Sequence, residues 1–390
     1  MGNVFNKSIT THRFAEIFKP ELNSLFIALA EFLEYHELVK LAQTCKSFRS
    51  AASPDFVFTL PLRYYTYTTA RNYTKVKKIK TYELLFDVPR HEFLRLSRLH
   101  IEYDDILRMD IIAGLPYLQN LDLSSSFITH IKGLPKLPKL HTLKIHFPGN
   151  NENIDLTGLD ELHRLQKLYL TSAGSITNIN LNRLTNLKIL YLDYQNIEEL
   201  HIIDQLINLE ELSLRNNAIK NLAPISKLTK LQNLNLSNNS LTNLDDLEHL
   251  VNLRSLNLYG NKLTKLEGLE HLVNLQNLNV SLNNLETLDG INQLTKLTSL
   301  YIYANKISNL NAISELINLQ ALYAYRNAIV DLRPLSKLVN LHTLLLYENN
   351  ISSVSGLENL PRLKELQISH NKISYNEARK KIKHNIIAKF

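Results

Sequence analysis

Five tyrosines hold the most suggestive chemistry in this chain. Tyr301 and Tyr323 stand 22 residues apart, and Tyr303, Tyr325 and Tyr347 repeat the same interval two residues further on. Leu345 continues the first series, and Arg326 and Glu348 follow directly after Tyr325 and Tyr347. A phenol joins a broad apolar ring to a hydroxyl that stays protonated at neutral pH, so it binds rather than transfers protons. Tyrosine and arginine are also the residues enriched where protein surfaces meet. Tyr301, Tyr303, Tyr323, Tyr325, Arg326, Leu345 and Tyr347 are therefore the expected contacts for a protein partner. A smaller group, Tyr169, Tyr191 and Tyr194 with Asp193, offers a second patch, beside the polar stretch HFPGNNEN at 146–153.

Reactive constellations are missing from the sequence. There is no phosphate-cradling glycine loop, no H-E-x-x-H, no G-x-S-x-G and no EF-hand loop. The 14 histidines fall at no metal-ligand spacing, and the single cysteine, Cys45, rules out a disulfide framework or a cysteine cluster. The acidic pairs Asp245-Asp246 and Glu198-Glu199 fall in loops rather than converging on a site. The reading is a non-enzyme that needs no cofactor and no metal. A net charge of +7 is modest for 390 residues and concentrates at 69–80 and 378–390. Tyr64, Tyr65, Tyr67 and Tyr73 with Arg63, Arg71 and Lys75 have the composition of a base-stacking platform. Packing of a linker uses the same residues, and no nucleic-acid partner is expected.

The elements that must position the tyrosines repeat with them. From Leu209 to Leu363 the pattern L-x-x-L-x-(L/I/V/A)-x-x-N-x-(L/I) recurs every 22 residues, starting at Leu209, Leu231, Leu253, Leu275, Leu297, Leu319, Leu341 and Leu363. Looser copies begin at Leu96, Leu118, Leu140, Leu165 and Leu187, with one 25-residue interval after Leu140. Such a fixed period identifies the chain as resembling the leucine-rich-repeat proteins. The resemblance implies an α/β solenoid, a horseshoe whose parallel strands line a concave sheet. Within each copy, positions 4 and 6 should point inward and positions 3, 5, 7 and 8 should face out, because strand side chains alternate. Equal positions in successive copies then stack into columns about 4.8 Å apart. The asparagine at position 9, from Asn217 to Asn371, is expected to turn the chain out of the strand.

Residues 25–49 read LFIALAEFLEYHELVKLAQTCKSFR, with apolar residues at helical spacing on both sides of Glu34-Tyr35-His36-Glu37. Leu33, Leu38, Leu41, Cys45, Lys46, Phe48 and Arg49 fall where the F-box family places its L-x-x-x-x-L-x-x-L…C-K-x-F-R residues, and the segment resembles that module. Pro20 lies two residues earlier than the family's Leu-Pro pair, and Ser24 and Glu37 fill its acidic positions. The resemblance implies docking on a Skp-type adaptor of a cullin–RING ubiquitin ligase, with Leu25, Leu29, Leu33, Leu38, Leu41 and Phe48 as the apolar contacts. Cys45 is then a packing thiol. A plain helical cap over the first repeat uses the same faces.

The expected organisation is an N-terminal segment (1–19), an F-box-like helical domain (20–53), a linker or N-terminal cap with one or two strands (54–95), the repeats (96–374) and a C-terminal capping helix (375–390). Met1-Gly2-Asn3-Val4-Phe5 resembles the start of the N-myristoylated ADP-ribosylation-factor GTPases, although Asn6 stands where that pattern has Ser or Thr. Membrane contact follows only if Gly2 is acylated. No apolar run reaches ~18 residues and no secretory leader is visible, so a cytoplasmic location is expected. Together these features resemble the F-box/leucine-rich-repeat substrate receptors, in which the repeats hold a target. The 22-residue unit is also similar to the type-1 phosphatase regulator and to the internalins. That leaves open a scaffold or phosphatase regulator, and a bacterial effector working in host cytosol through the host's ligase.

Overall fold

The computed structural model describes residues 78–79, 97–102, 112, 114–124, 130–131, 134–147, 155–172, 179–374 and 387–389. The F-box-like segment with Leu25, Leu29, Leu33, Leu38, Leu41, Cys45 and Phe48 lies outside the described residues, as does Gly2. The chain divides into two compact units, Met1–Leu143 and Lys144–Phe390.

In the first unit, strands β1 (Lys78–Ile79), β2 (Arg98–Glu102) and β3 (Asn120–Ser124) pair in parallel in chain order. β1 lies within the segment 54–95. β4 (Thr142–Phe147) spans the boundary between the units.

The second unit continues with β5 (Lys167–Ser172), β6 (Ile189–Asp193), β7 (Glu211–Ser213), β8 (Asn233–Asn235), β9 (Ser255–Asn257), β10 (Asn277–Asn279), β11 (Ser299–Tyr301), β12 (Ala321–Tyr323), β13 (Thr343–Leu345), β14 (Glu365–Gln367) and β15 (Ile387–Lys389). From β5 onward every neighbour is parallel and offset by one 22-residue repeat, as in Leu278↔Leu300 and Leu300↔Leu322. The register is strict because each repeat sends the same residues inward. In the copy starting at Leu275 these are Leu275, Leu278, Val280, Leu285, Leu288, Ile291 and Leu294, none more than 2% exposed. Burying each such side chain contributes about 2 kcal/mol before conformational entropy is subtracted.

The return arms correct the expected α/β character. They are short 3-10 turns, such as Ala223–Ile225, Asp245–Leu247 and Asn311–Ile313, because a strand and two turns leave too little of a 22-residue unit for an α-helix. Where position 16 is glycine, at Gly268, Gly290 and Gly356, no 3-10 segment forms and that residue takes a positive φ of 99–108°. A Cβ on Gly290 would lie 2.7 Å from the Leu266 carbonyl oxygen, so the tighter turn requires glycine. At the far end, Ile387–Lys389 is a strand beside β14, where a capping helix was expected; residues 375–386 lie outside the described set.

Two side-chain ladders clamp one repeat to the next. The position-9 asparagine does more than turn the chain. Asn283 donates from Nδ2 to the carbonyls of Val280 in its own repeat and Leu258 in the preceding one, both at 3.0 Å. Its Oδ1 accepts from the Leu263 amide of that preceding repeat at 3.0 Å. The same pattern holds at Asn239, Asn261, Asn305, Asn327, Asn349 and Asn371. Gln195 stands in this slot one repeat before Asn217, and its Nε2 reaches Leu170 and Asp193 carbonyls while its buried Oε1 finds no partner. The second ladder uses the residue just before each opening leucine. Asn252 and Asn274 donate to the Thr229 and Val251 carbonyls at 2.8 Å. Every third repeat a cation replaces that asparagine and bonds the amide oxygen of the preceding one: Lys230 to Asn208, Lys296 to Asn274 and Arg362 to Asn340, each at 2.6 Å.

Candidate functional site: a double row of stacked tyrosines

Positions 5 and 7 flank the inward position 6, so each repeat sets one side chain at the end of its strand and another just past it on the same side. In the copy starting at Leu297, Leu300 and Ile302 are fully buried while Tyr301 and Tyr303 between and beyond them are half-buried. Register pairs Tyr301 with Tyr323 and Tyr323 with Leu345 on adjacent strands. Strand spacing of about 4.8 Å then leaves the rings no room except to stack. The Tyr301 and Tyr323 centroids are 4.4 Å apart with planes 3° from parallel. In the neighbouring row Tyr303, Tyr325 and Tyr347 follow one another at 4.4 and 4.3 Å, tilted by 8° and 10°. Tyr259 extends that row by leaning toward Tyr303 at 6.2 Å and 50°, across the fully buried Ser281 between them.

The stacking determines what a partner meets. Ring faces inside the rows are already occupied by one another, so the surface offers ring edges and a line of phenol hydroxyls. Edges carry the positive part of the ring quadrupole and hydroxyls donate, which together favour carbonyl and carboxylate acceptors. Burial and the flanking phenols push the Tyr325 hydroxyl far above the usual tyrosine range. Tyr303 and Tyr323 are also raised, mainly by burial, then by their ring neighbours. These hydroxyls remain donors at any physiological pH.

Arg326 and Glu348 lie alongside on adjacent strands and pair with each other, Nε to Oε2 at 2.8 Å. Arg326 is thus held by its neighbour and keeps its charge, the Glu348 carboxylate raising its pKa further. Leu345 continues the first row after Tyr323, half-buried in the same way. All seven sequence-derived residues therefore fall at positions 5, 7 and 8 of three adjacent repeats.

Sequence reading missed the backbone that carries position 8. Ala304, Arg326, Glu348 and His370 have φ of 53–56°, and Tyr194, Asn216, Asn238, Gly260 and Leu282 share the left-handed conformation. From Tyr194 to Glu348 each such amide bonds the position-7 carbonyl one repeat on, as Ala304 does to Tyr325 and Arg326 to Tyr347, both at 3.0 Å. That bond extends the ladder past the strand and holds the position-7 tyrosines in line. Asn216, Asn238 and Gly260, three left-handed formers in one column, were the readable signal.

The second patch is more polar. Tyr169 and Tyr191 meet at 4.9 Å and 59°, with the Lys144 ammonium 4.8 Å from the Tyr169 ring. The Tyr191 hydroxyl donates to Glu211, and burial together with that carboxylate holds its pKa well above the usual range. Asp193 accepts from the Ser213 hydroxyl at 2.6 Å and the Arg215 amide at 2.9 Å, while exposed Tyr194 faces the Arg215 guanidinium at 5.7 Å. His146 bonds Thr171, but 148–154 lie outside the described residues.

Among the described residues no group of three His, Cys, Asp or Glu side chains is placed to hold a metal, and no helix is long and apolar enough to cross a membrane.

Comparison with known proteins agrees with this geometry. The family model "Leucine Rich repeats (2 copies)" matches residues 207–249, 229–271 and 339–377. An internalin from Listeria monocytogenes superposes with a TM-score of 0.65 at 24% identity, covering 76% of this chain and 88% of its own. A leucine-rich-repeat protein from Leptospira interrogans gives 0.68 at 23% identity over 88% and 98%. The ectodomain of a plant membrane receptor kinase from Arabidopsis thaliana, solved in complex with Casparian strip integrity factor 2, gives 0.58 at 20% identity over 77% and 43%. Comparison with curated proteins finds no match. The repeat array is a leucine-rich-repeat fold, a solenoid built on a parallel β-sheet.

Proposed function

We propose that this chain is a non-enzymatic protein-interaction module that holds a protein partner on the open, tyrosine-bearing face of its repeats. The observation that carries the reading is the double row Tyr301, Tyr323 and Tyr303, Tyr325, Tyr347, bordered by Leu345 and Arg326. Ordered aromatics with few rotatable bonds lose little entropy on binding, which suits them to anchor an interface. Replacing Tyr303 and Tyr325 together by alanine should abolish capture of the partner. Replacing both by phenylalanine preserves the stack and separates the contribution of the hydroxyls. Capture that survives the double alanine variant removes the reading.

The finer assignment rests on residues 20–53, where Leu33, Leu38, Leu41, Cys45, Lys46, Phe48 and Arg49 keep F-box spacing. We infer that this segment docks a Skp-type adaptor, so that the repeats present a target to a cytoplasmic ubiquitin ligase, in host cytosol if the chain is a secreted effector. Co-purification with the adaptor should be lost on Leu38→Asp. Absence of adaptor binding, or binding indifferent to that change, overturns it. Direct capture of a phosphatase by residues 96–390 would instead favour the regulator reading.

A further inference from the structure

Away from the tyrosines, on the edge where the chain enters its strands, one trough runs between the residues just before and just after the opening leucines. Lys230 and Lys296 close its two ends, three repeats apart, and Arg254 stands on the wall between them. At one strand spacing per repeat the two lysines are about 14 Å apart. Some cations elsewhere on the repeats pair with acids, as Lys188 does with Glu210, Lys265 with Glu267, Arg333 with Asp331 and Lys337 with Glu315. The trough instead gathers three cations on one channel. Lys230 and Lys296 are each fixed by a neutral asparagine oxygen at 2.6 Å, and the Arg254 guanidinium meets no carboxylate among the described residues. Glu210, its one acid, is already matched by Lys188 at 2.9 Å. Three cations thus face one channel without a counter-charge, two of them held in place before any ligand arrives.

The residues directly before Asn252 and Asn274 of the trough add an apolar component. Val251 and Val273, exposed by 42% and 45%, sit on adjacent repeats between the two lysines. Asn274 holds the Val251 carbonyl at 2.8 Å.

We propose that this trough is a second docking surface, for an acidic segment of a partner protein that sets carboxylates against Lys230, Arg254 and Lys296 and small apolar side chains against Val251 and Val273. The charge complement selects acid, and the span of about 14 Å matches four residues of extended chain. A nucleic acid strand is the poorer fit, since no aromatic ring lines the trough to stack a base and three cations neutralise few phosphates. The surface is separate from the tyrosine rows and does not depend on their role.

The test is fluorescence anisotropy on the full chain with a labelled twelve-residue peptide of glutamates interspersed with valines. Controls are the same peptide with lysine for glutamate and an oligothymidylate of equal charge. The acidic peptide should bind, weaken as salt rises, and lose about tenfold or more in affinity with Lys230→Gln plus Lys296→Gln, or with Arg254→Gln. Tyr303→Ala with Tyr325→Ala should leave it unchanged. All three positions are exposed, so the variants should stay folded and melt only slightly below the parent, by the loss of the two Lys–Asn bonds. No binding, binding indifferent to the three substitutions, or tighter binding of the oligothymidylate through them would each overturn the proposal.

Discussion

Tyr325 has a ring on either side of it, at 4.4 and 4.3 Å, and its behaviour follows from that position. A stacked pair adds about 1 kcal/mol beyond area burial, so Tyr325→Ala should cost about 2–3 kcal/mol in urea denaturation, whereas Tyr325→Phe should stay within about 0.5 kcal/mol. The alanine variants that test binding therefore need the phenylalanine pair beside them as a stability control. Ionisation offers a second check. The folded phenol titrates above the unfolded value near ~10, so its stabilising contribution is complete below that pH. The unfolded chain ionises first as pH rises, and stability should fall from about pH 10 upward. Melting curves across pH 9–11.5 should show that decline, and Tyr325→Phe should make it shallower. A slope unchanged by the substitution contradicts the assignment. Ala304, at φ 53°, gives a backbone prediction: Ala304→Gly relieves left-handed strain and should raise stability by about 0.5–1 kcal/mol.

At the scale of one repeat, the asparagine clamp is the largest single lever. Asn283→Ala strips partners from the Leu258 and Val280 carbonyls and the Leu263 amide, all buried or nearly so, and should cost about 3 kcal/mol in equilibrium unfolding. Gly290→Ala should be costly too, by about 2–3 kcal/mol, since it adds a Cβ against the Leu266 carbonyl at a φ of 102°. Much of this element was legible beforehand. The 22-residue period named every inward leucine and put the tyrosines on one face, because alternation along a strand is dictated by the backbone. Three things were not legible. Ring stacking depends on the strand spacing acting on neighbours 22 residues apart. The Arg326–Glu348 pair depends on two exposed side chains choosing each other. The left-handed conformation at Leu282, Ala304, Arg326 and Glu348 is announced by none of those residues, only by Asn216, Asn238 and Gly260 earlier in the same column. The strand at Ile387–Lys389 was misread as helix because Ile382, Ile386, Ile387 and Phe390 satisfy a helical period, while the last repeat offered an open strand edge to pair with.

At the scale of the molecule, the second unit is a stack in which each repeat touches its neighbours, so its surface is a set of columns rather than pockets. Function is then written as departures from the repeat. One departure is aromatic, at position 5 of the copies starting at Leu297 and Leu319 and at position 7 of those starting at Leu297, Leu319 and Leu341. Another is cationic, at every third residue of the entry ladder. Both are exposed positions that the leucine core leaves free to vary. The account's central claim, that the tyrosine rows receive a protein, is tested most directly by site-specific photocrosslinking of the full chain in cells. A photoreactive phenylalanine replaces Tyr347 at the end of the row in one variant and exposed Ile317, outside the tyrosine rows, in another. The account predicts a discrete protein adduct from position 347 that disappears when Tyr303 and Tyr325 are also alanine, and none from position 317. Equal adducts from both positions, or an adduct at 347 that survives the loss of both tyrosines, would contradict it.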